Sequence, residues 1–154
     1  MSQDMFIKFD GIEGQSVDKN HKNWIDVIDY KMGCLQTIEK GTASDVSGRA
    51  LFEPFAFTHF VDKSTPKFLQ ACMNGQKITK AEFSVCQAVA GKQEEIIAII
   101  LENIKIKSAE VIANDDNPVE QVELVFAKAT WKAKAVNDNA MGETVETSFN
   151  VRTK

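Results

Sequence analysis

Basic residues, histidines, cysteines and long apolar runs are all scarce in this 154-residue chain, and each shortage removes a class of function. Lys and Arg number 18 against 22 Asp and Glu, a formal net charge of −4. Phosphate backbones are bound by a basic excess, so a general nucleic-acid surface is disfavoured. The cysteines, Cys34, Cys72 and Cys86, are odd in number and have no CxxC spacing. That speaks against both a disulfide framework and a zinc knuckle. His21 and His59 have no second His, Cys or carboxylate at metal-ligand spacing on a helix face, and read as structural or surface residues. The longest apolar run, Ile96 to Leu101, is far short of the ~20 residues of a membrane helix. Met1 to Gly14 carries Asp4, Asp10 and Glu13 and no apolar core, so it does not read as a Sec signal peptide. Synthesis and folding in the cytoplasm are expected, with any export by another route.

What remains is ordinary for a folded globule. Hydrophobic residues at 44% and charged residues at 26% exclude disorder as the main state. The length fits one domain, 1–154, with a core that needs no staples.

Periodicity says mostly strand. Met5, Ile7 and Phe9 alternate with Phe6, Lys8 and Asp10. Trp24 to Met32 is a second extended run with apolar groups on both faces. Leu35 to Arg49 has two glycines and little periodicity, and reads as a long surface loop. Ala50 to Phe57 resumes a strand with Pro54 inside it, which implies an edge or a bulge. The best helix lies between Asp62 and Gly75. Thr65 reads as N-cap, Pro66 as N1 and Gly75 as the left-handed C′ residue. Phe68, Leu69, Cys72 and Met73 form its apolar stripe.

More strands follow. Ala81, Phe83 and Val85 alternate with polar residues. Glu94 to Ile106 is read as strand because of its β-branched residues. Asn114 to Pro118 is a turn. Val122, Leu124 and Phe126 define one face of a strand, and Val125, Ala127, Ala129, Trp131 and Ala133 the other. Asn137 to Glu143 reads as a loop, and Val145, Thr147, Phe149 and Val151 as a final strand. The sum is a mainly β chain: an antiparallel β-barrel or sandwich of roughly eight strands with one flanking α-helix, about 64–74.

Catalytic constellations are weak. Cys72, on the helix stripe, reads as a buried thiol that desolvation would quieten. Cys34 lies at a strand end and is more exposed. Gly41 to Gly48 lacks the lysine and hydroxyl of a phosphate loop. Glu94–Glu95 and Asp115–Asp116 are adjacent pairs whose side chains point to opposite faces in a strand, so neither forms an acid/base dyad. Lys105 and Lys107 share one face and read as a solvated edge. Nothing in the sequence asks for a cofactor or a metal. A small-ligand β-barrel and a cytoplasmic adaptor stay open on the residues alone. A secreted hydrolase lacks a paired nucleophile and base.

Several segments in order carry more than any site motif. Met5-Phe-Ile-Lys-Phe-Asp-Gly-Ile-Glu-Gly14 leads to Ser16-Val-Asp-Lys-Asn-His21 and Trp24-Ile-Asp-Val27. Phe60-Val-Asp-Lys-Ser-Thr-Pro-Lys-Phe-Leu-Gln-Ala-Cys-Met-Asn-Gly75 follows, then Ile99-Ile-Leu-Glu-Asn-Ile-Lys-Ile-Lys-Ser108. Together they resemble the Hcp family, the haemolysin-coregulated proteins of type VI secretion, from Met5 to about Trp131. The resemblance implies a β-barrel with a flanking helix and a structural, non-enzymatic role. It also implies homohexameric rings that stack into a hollow tube. As partners it implies the chain itself, a valine-glycine-repeat spike, a contractile sheath, and effectors carried in the lumen. The protein is then secreted without a signal peptide, and neither binds nucleic acid nor inserts in a membrane. Within this frame the hydrophilic segment Thr42, Ala43, Ser44, Asp45, Val46 and Ser47 is the candidate ring-stacking loop, and its deletion is expected to abolish tube growth while sparing rings.

Overall fold

A computed structural model describes residues 3–38, 46–137 and 140–151. Its elements in order are β1 (Gln3–Phe9), β2 (Ile25–Val27), β3 (Asp29–Lys31), β4 (Cys34–Ile38), β5 (Val46–Phe52) and β6 (Phe55–Phe60). Then come α1 (Thr65–Asn74), β7 (Lys77–Val89), β8 (Lys92–Ile112), β9 (Val119–Asn137) and β10 (Ala140–Asn150). The main sheet is antiparallel and runs β2-β1-β7-β8-β9-β6-β3, with β10 also on β9. The β4–β5 pair stands apart as a two-stranded sheet.

The expected Trp24–Met32 run is two strands, and this split closes the sheet. β2 pairs with β1 and β3 with β6, the two ends of the strand order. Only Ile28 separates them, and its N–H donates to the Thr58 carbonyl at 2.8 Å. One bent segment therefore bridges the seam of a nearly closed barrel, which removes edges that would otherwise be left open.

Large rings fill the interior. Phe9, Phe55, Phe57, Phe68 and Phe83 are all fully buried. Phe68 of α1 meets Phe9 edge-on at 5.0 Å and Phe57 at 5.9 Å between centroids. At about 25 cal/mol per Å² of apolar area, each such ring contributes a few kcal/mol.

β8 and β9 change which side faces the core halfway along. Val122, Leu124 and Phe126 are buried, but so are Ala127 and Ala129. The partner strand switches at the same level, from Ile104 and Ile106 to Ile99 and Leu101. Asn103, at φ +56°, lies at the switch. Asparagine tolerates that left-handed conformation better than most residues, and one such residue lets the ribbon turn over. Below the switch β9 pairs with β6, and above it with β10. The two faces expected for this strand are thus inward in succession, while Val125 points outward.

Several expectations need correction. Much of the expected loop Leu35–Arg49 is the two arms of a hairpin, with Leu35 opposite Leu51 and Ile38 opposite Val46. Pro54 sits between β5 and β6, outside any strand, where its missing N–H costs no ladder bond. The Asn137–Glu143 loop is mostly strand, since β9 runs to Asn137 and β10 starts at Ala140. The helix N-cap is Ser64, so Thr65 is already helical. The reason lies in the preceding turn. The Asp62 carboxylate accepts from the Ser64 N–H at 2.8 Å and from the Ser64 hydroxyl, and the Thr65 hydroxyl accepts from the Asp62 N–H at 3.2 Å. Ser64 is thereby drawn away from capping with its own side chain. The buried stripe is Thr65, Phe68 and Ala71, while Met73 is 79% exposed. Gly75, at φ +63°, ends the helix as expected.

Candidate assembly surfaces

Both histidines and Cys86 are used up inside the fold. His59 and Glu120 face each other across β6 and β9, both fully buried, with Nε2 to Oε1 at 2.7 Å. His59 Nδ1 lies 3.9 Å from an Asp62 carboxylate oxygen. Among the described residues neither His59 Nδ1 nor Glu120 Oε2 has a hydrogen-bond partner. The pair joins two strands just where the chain turns into α1. Its register is direct, so it clamps the β6–β9 alignment.

His21 is buried too, a structural rather than a surface residue. It lies in the strap between β1 and β2, residues 10–24, which folds over the outer face of β1 and β7. Its ring stacks on Phe6 at 4.1 Å and meets Trp24 edge-on at 4.7 Å. Nδ1 is 2.7 Å from Asp18, and Nε2 is 4.0 Å from the Cys86 sulfur. A thiol, an imidazole and a carboxylate thus follow one another in the order of a nucleophile, its base and its orienter. The setting works against reaction. Cys86 is 2% exposed, and burial pushes its thiol pKa up, with the nearby Glu95, Asp18 and Asp4 charges adding to the effect. Asp18 is held below the usual carboxylate range, mainly by the His21 hydrogen bond, with Gln93 and the Asn20 N–H assisting against its partial desolvation. The array works as a clip that fastens the strap to the β7–β8 hairpin.

Among the described residues no group of three or more His, Cys, Asp and Glu side chains is placed to hold a metal ion. No helix there is long and apolar enough to cross a membrane. Cys34 is exposed and Cys72 half-buried. Lys105 and Lys107 are exposed, but on the central strand β8 rather than at an edge.

The remaining candidates are surfaces. Of the expected stacking segment, Val46 and Ser47 open β5, and Thr42 to Asp45 lie outside the described residues. The hairpin is anchored by Phe52, whose ring lies 4.8 Å from Phe149, 6.0 Å from Phe126 and 6.0 Å from Trp131. On the hairpin's other face Leu35 and Leu51 form an exposed cross-strand pair. An isolated two-stranded ribbon is marginal in water, so this one depends on what packs against it.

β10 is the surface that periodicity did not expose. Its alternation of Val145, Thr147 and Phe149 is real, yet nearly every residue of the strand is exposed. The opposite face of the ribbon carries charge, with Lys128 near Glu102 at 3.9 Å and Lys132 near Glu146 at 4.0 Å. Both pairs are exposed and add little stability. The ribbon is amphipathic, and among the described residues nothing covers its apolar side over much of its length.

Comparison with known proteins points the same way. A family model described as "Type VI secretion system effector, Hcp" matches residues 6–132. The chain is 28% identical over 157 residues to "Protein hcp1" of Pseudomonas aeruginosa, covering 99% of this chain and 97% of that one. A solved type six secretion system protein superposes with a TM-score of 0.89 at 22% identity, over 97% of this chain and 96% of the other. A type VI secretion system effector from Yersinia pestis gives a TM-score of 0.76 at 28% identity, over 96% of this chain and all of the other.

Proposed function

The chain belongs to the Hcp family of type VI secretion, and from that premise we propose that it is a structural subunit of the secretion tube. The family match across residues 6–132 carries this reading. The subunit works by shape and stiffness, not by bond making. Six copies close a ring, rings stack into a hollow tube, and a contractile sheath expels the tube behind a valine-glycine-repeat spike. The protein leaves the cell by that route. Polar side chains from alternate strand positions line the lumen and hold small effector proteins by weak contacts.

The fold suits such a part. Its sheet is nearly closed on itself, so the subunit transmits load through hydrogen-bonded strands and a packed aromatic core. His21, His59 and Cys86 are tied up in a clip and a clamp. It keeps exposed apolar surface on the β4–β5 hairpin and on β10, as a ring built from unlike patches requires.

Light scattering behind size-exclusion chromatography tests the ring. A hexamer of 17.1 kDa chains weighs about 103 kDa. A strict monomer at high concentration would end the tube reading and turn attention to a ligand-binding barrel. For stacking, deletion of Thr42 to Asp45 spares the pairing of Val46 with Ile38. Rings are expected to survive it and tubes to be lost. Tubes that still form would remove this segment from the stacking contact.

A further inference from the structure

We propose that Cys86 and His21 form a two-ligand site for a soft, singly charged metal ion of the cuprous class, held between the strap and the outer face of β7. The site goes beyond the tube reading and does not depend on it.

Strand register gathers the groups. Asp4 on β1 and Glu95 on β8 lie directly opposite Cys86 on β7, one on each side. Phe6 and Ser84 form the neighbouring row. The strap lays the His21 ring over that row, stacked on Phe6 at 4.1 Å. Nε2 then stands 4.0 Å from the Cys86 sulfur, and both residues are buried.

That distance suits an ion. Zinc, another closed-shell ion, makes bonds of about 2.3 Å to sulfur and about 2.0 Å to imidazole nitrogen, which together span about 4.3 Å in a straight line and about 3.5 Å at the tetrahedral angle. The observed 4.0 Å falls between these limits, so one ion fits with little movement of the ring. The ring is also set to ligate. Nδ1–H donates to the Asp18 carboxylate at 2.7 Å, which leaves the Nε2 lone pair for the sulfur side. A carboxylate behind a ligating imidazole fixes its tautomer and raises its basicity. Asp18 is itself held by the Gln93 amide at 3.2 Å and the Asn20 N–H at 3.1 Å.

The surrounding charge favours a cation. Asp4 and Glu95 flank the thiol and Asp18 backs the imidazole. Among the described residues none of the three is ion-paired with a Lys or Arg. These carboxylates oppose a bare thiolate, adding to the burial that holds the Cys86 proton on. A bound cation inverts that logic and makes the same charges favourable. The donor set narrows the ion. Thiolate with imidazole selects a soft metal over magnesium or calcium. Among the described residues no third His, Cys, Asp or Glu converges with the pair, whereas zinc takes four ligands. A cuprous ion is satisfied by two. On loading, the Cys86 S–H proton leaves to solvent as the sulfur–metal bond forms, and the Nε2 lone pair makes the second bond. One proton is released per ion, with no change of oxidation state.

The test is anaerobic titration of the full, reduced protein with cuprous ion against a chromophoric cuprous chelator, for wild type, Cys86→Ser, His21→Gln, Cys34→Ser and Cys72→Ser. Wild type is expected to hold one ion that C86S and H21Q bind about a hundredfold more weakly or worse, since even outer-shell changes cost about 10–100-fold. C34S and C72S are expected to keep it. X-ray absorption at the copper edge should show one sulfur and one nitrogen neighbour. One equivalent should raise the wild-type melting temperature, because the ion ties the strap to β7. Where circular dichroism shows a variant to be unfolded, the wild-type absorption spectrum decides. The proposal is overturned if wild type binds no more tightly than C86S, if C34S or C72S abolishes the site, if the copper neighbours are sulfur alone, or if equimolar zinc displaces the ion. A wild type that loads the ion yet stays monomeric supports this site and sinks the ring reading alone.

Discussion

Replacing His59 by leucine should cost far more than replacing both His59 and its partner. The two side chains are fully buried and 2.7 Å apart, and Glu120 Oε2 already has no partner. In His59→Leu, Glu120 loses its one hydrogen-bond partner and leaves a carboxyl group sealed in an apolar interior. Breaking a buried pair by removing one partner costs about 3–5 kcal/mol. Glu120→Leu strands an imidazole instead. Its unmade hydrogen bonds cost about 1–3 kcal/mol. Glu120→Gln keeps an oxygen that accepts from the ring N–H, so its cost sits at the low end of that range. The double variant His59→Leu/Glu120→Leu removes both demands at once. Phe57 and Phe68, with ring centroids 5.6 and 5.9 Å from the imidazole, already offer it an apolar wall. The double variant should then lie within about 2 kcal/mol of wild type, since apolar replacement of a buried pair is often neutral. The coupling energy is therefore at least about 2 kcal/mol, well above the few tenths found for independent sites. Urea unfolding, followed by Trp24 and Trp131 fluorescence at one fixed protein concentration, gives the four values. The fixed concentration matters because assembly adds to apparent stability. Single-variant costs that simply add in the double would refute the pairing argument.

Other outcomes can be checked on the same material. With a maleimide, Cys34 should label quickly, Cys72 slowly and Cys86 only on unfolding, because only Cys34 is exposed; a Cys86 that labels as fast as Cys34 would mean that the strap opens readily. Asp18 has a folded pKa below its unfolded value near 3.8. Its contribution is thus present above that value and lost as pH falls through the folded one, so the gap in melting temperature between wild type and Asp18→Asn should be widest at neutral pH and close below about pH 3.8. A gap that stays constant down to pH 2 would count against the clip. A Cβ at Gly14 would lie 2.6 Å from Ile25 Cγ1 and closer still to the Trp24 carbonyl oxygen; Gly14→Ala should cost about 1–3 kcal/mol and loosen the strap, and an unchanged melting temperature would show that the strap has slack.

The parts of the fold that could be read from sequence are those whose signals are local. The helix announces itself by Pro66, an apolar stripe and Gly75, because capping and periodicity act within a few residues. The sequence places its start one residue late, because Ser64 and Thr65 are both acceptable caps. What decides between them is the Asp62 side chain, a contact that composition does not rank. The barrel seam is not local at all. Trp24 to Met32 reads as one strand, and only the positions of β1 and β6 determine that it bends at Ile28. The turnover at Asn103 is hidden for the same reason: two apolar faces in one strand look like burial on both sides, when in fact each face is buried along half the length. His21 sits among charged neighbours, and its burial arises from Phe6, Trp24 and Cys86, up to 65 residues away.

The exposure of β10 is hidden by a different ambiguity. Alternation in β10 shows that one face is apolar and implies that something will cover it. It does not say whether the cover is the same chain or another copy. In β1 the apolar side chains Ile7 and Phe9 meet the barrel core. In β10 the same pattern, Val145 and Phe149, meets solvent over much of its length. An obligate oligomer writes its interface in the same residues as its core, since both exclude water by the same effect. A strand that reads as core and is found exposed, as β10 is, therefore carries information about partners as well as about the fold.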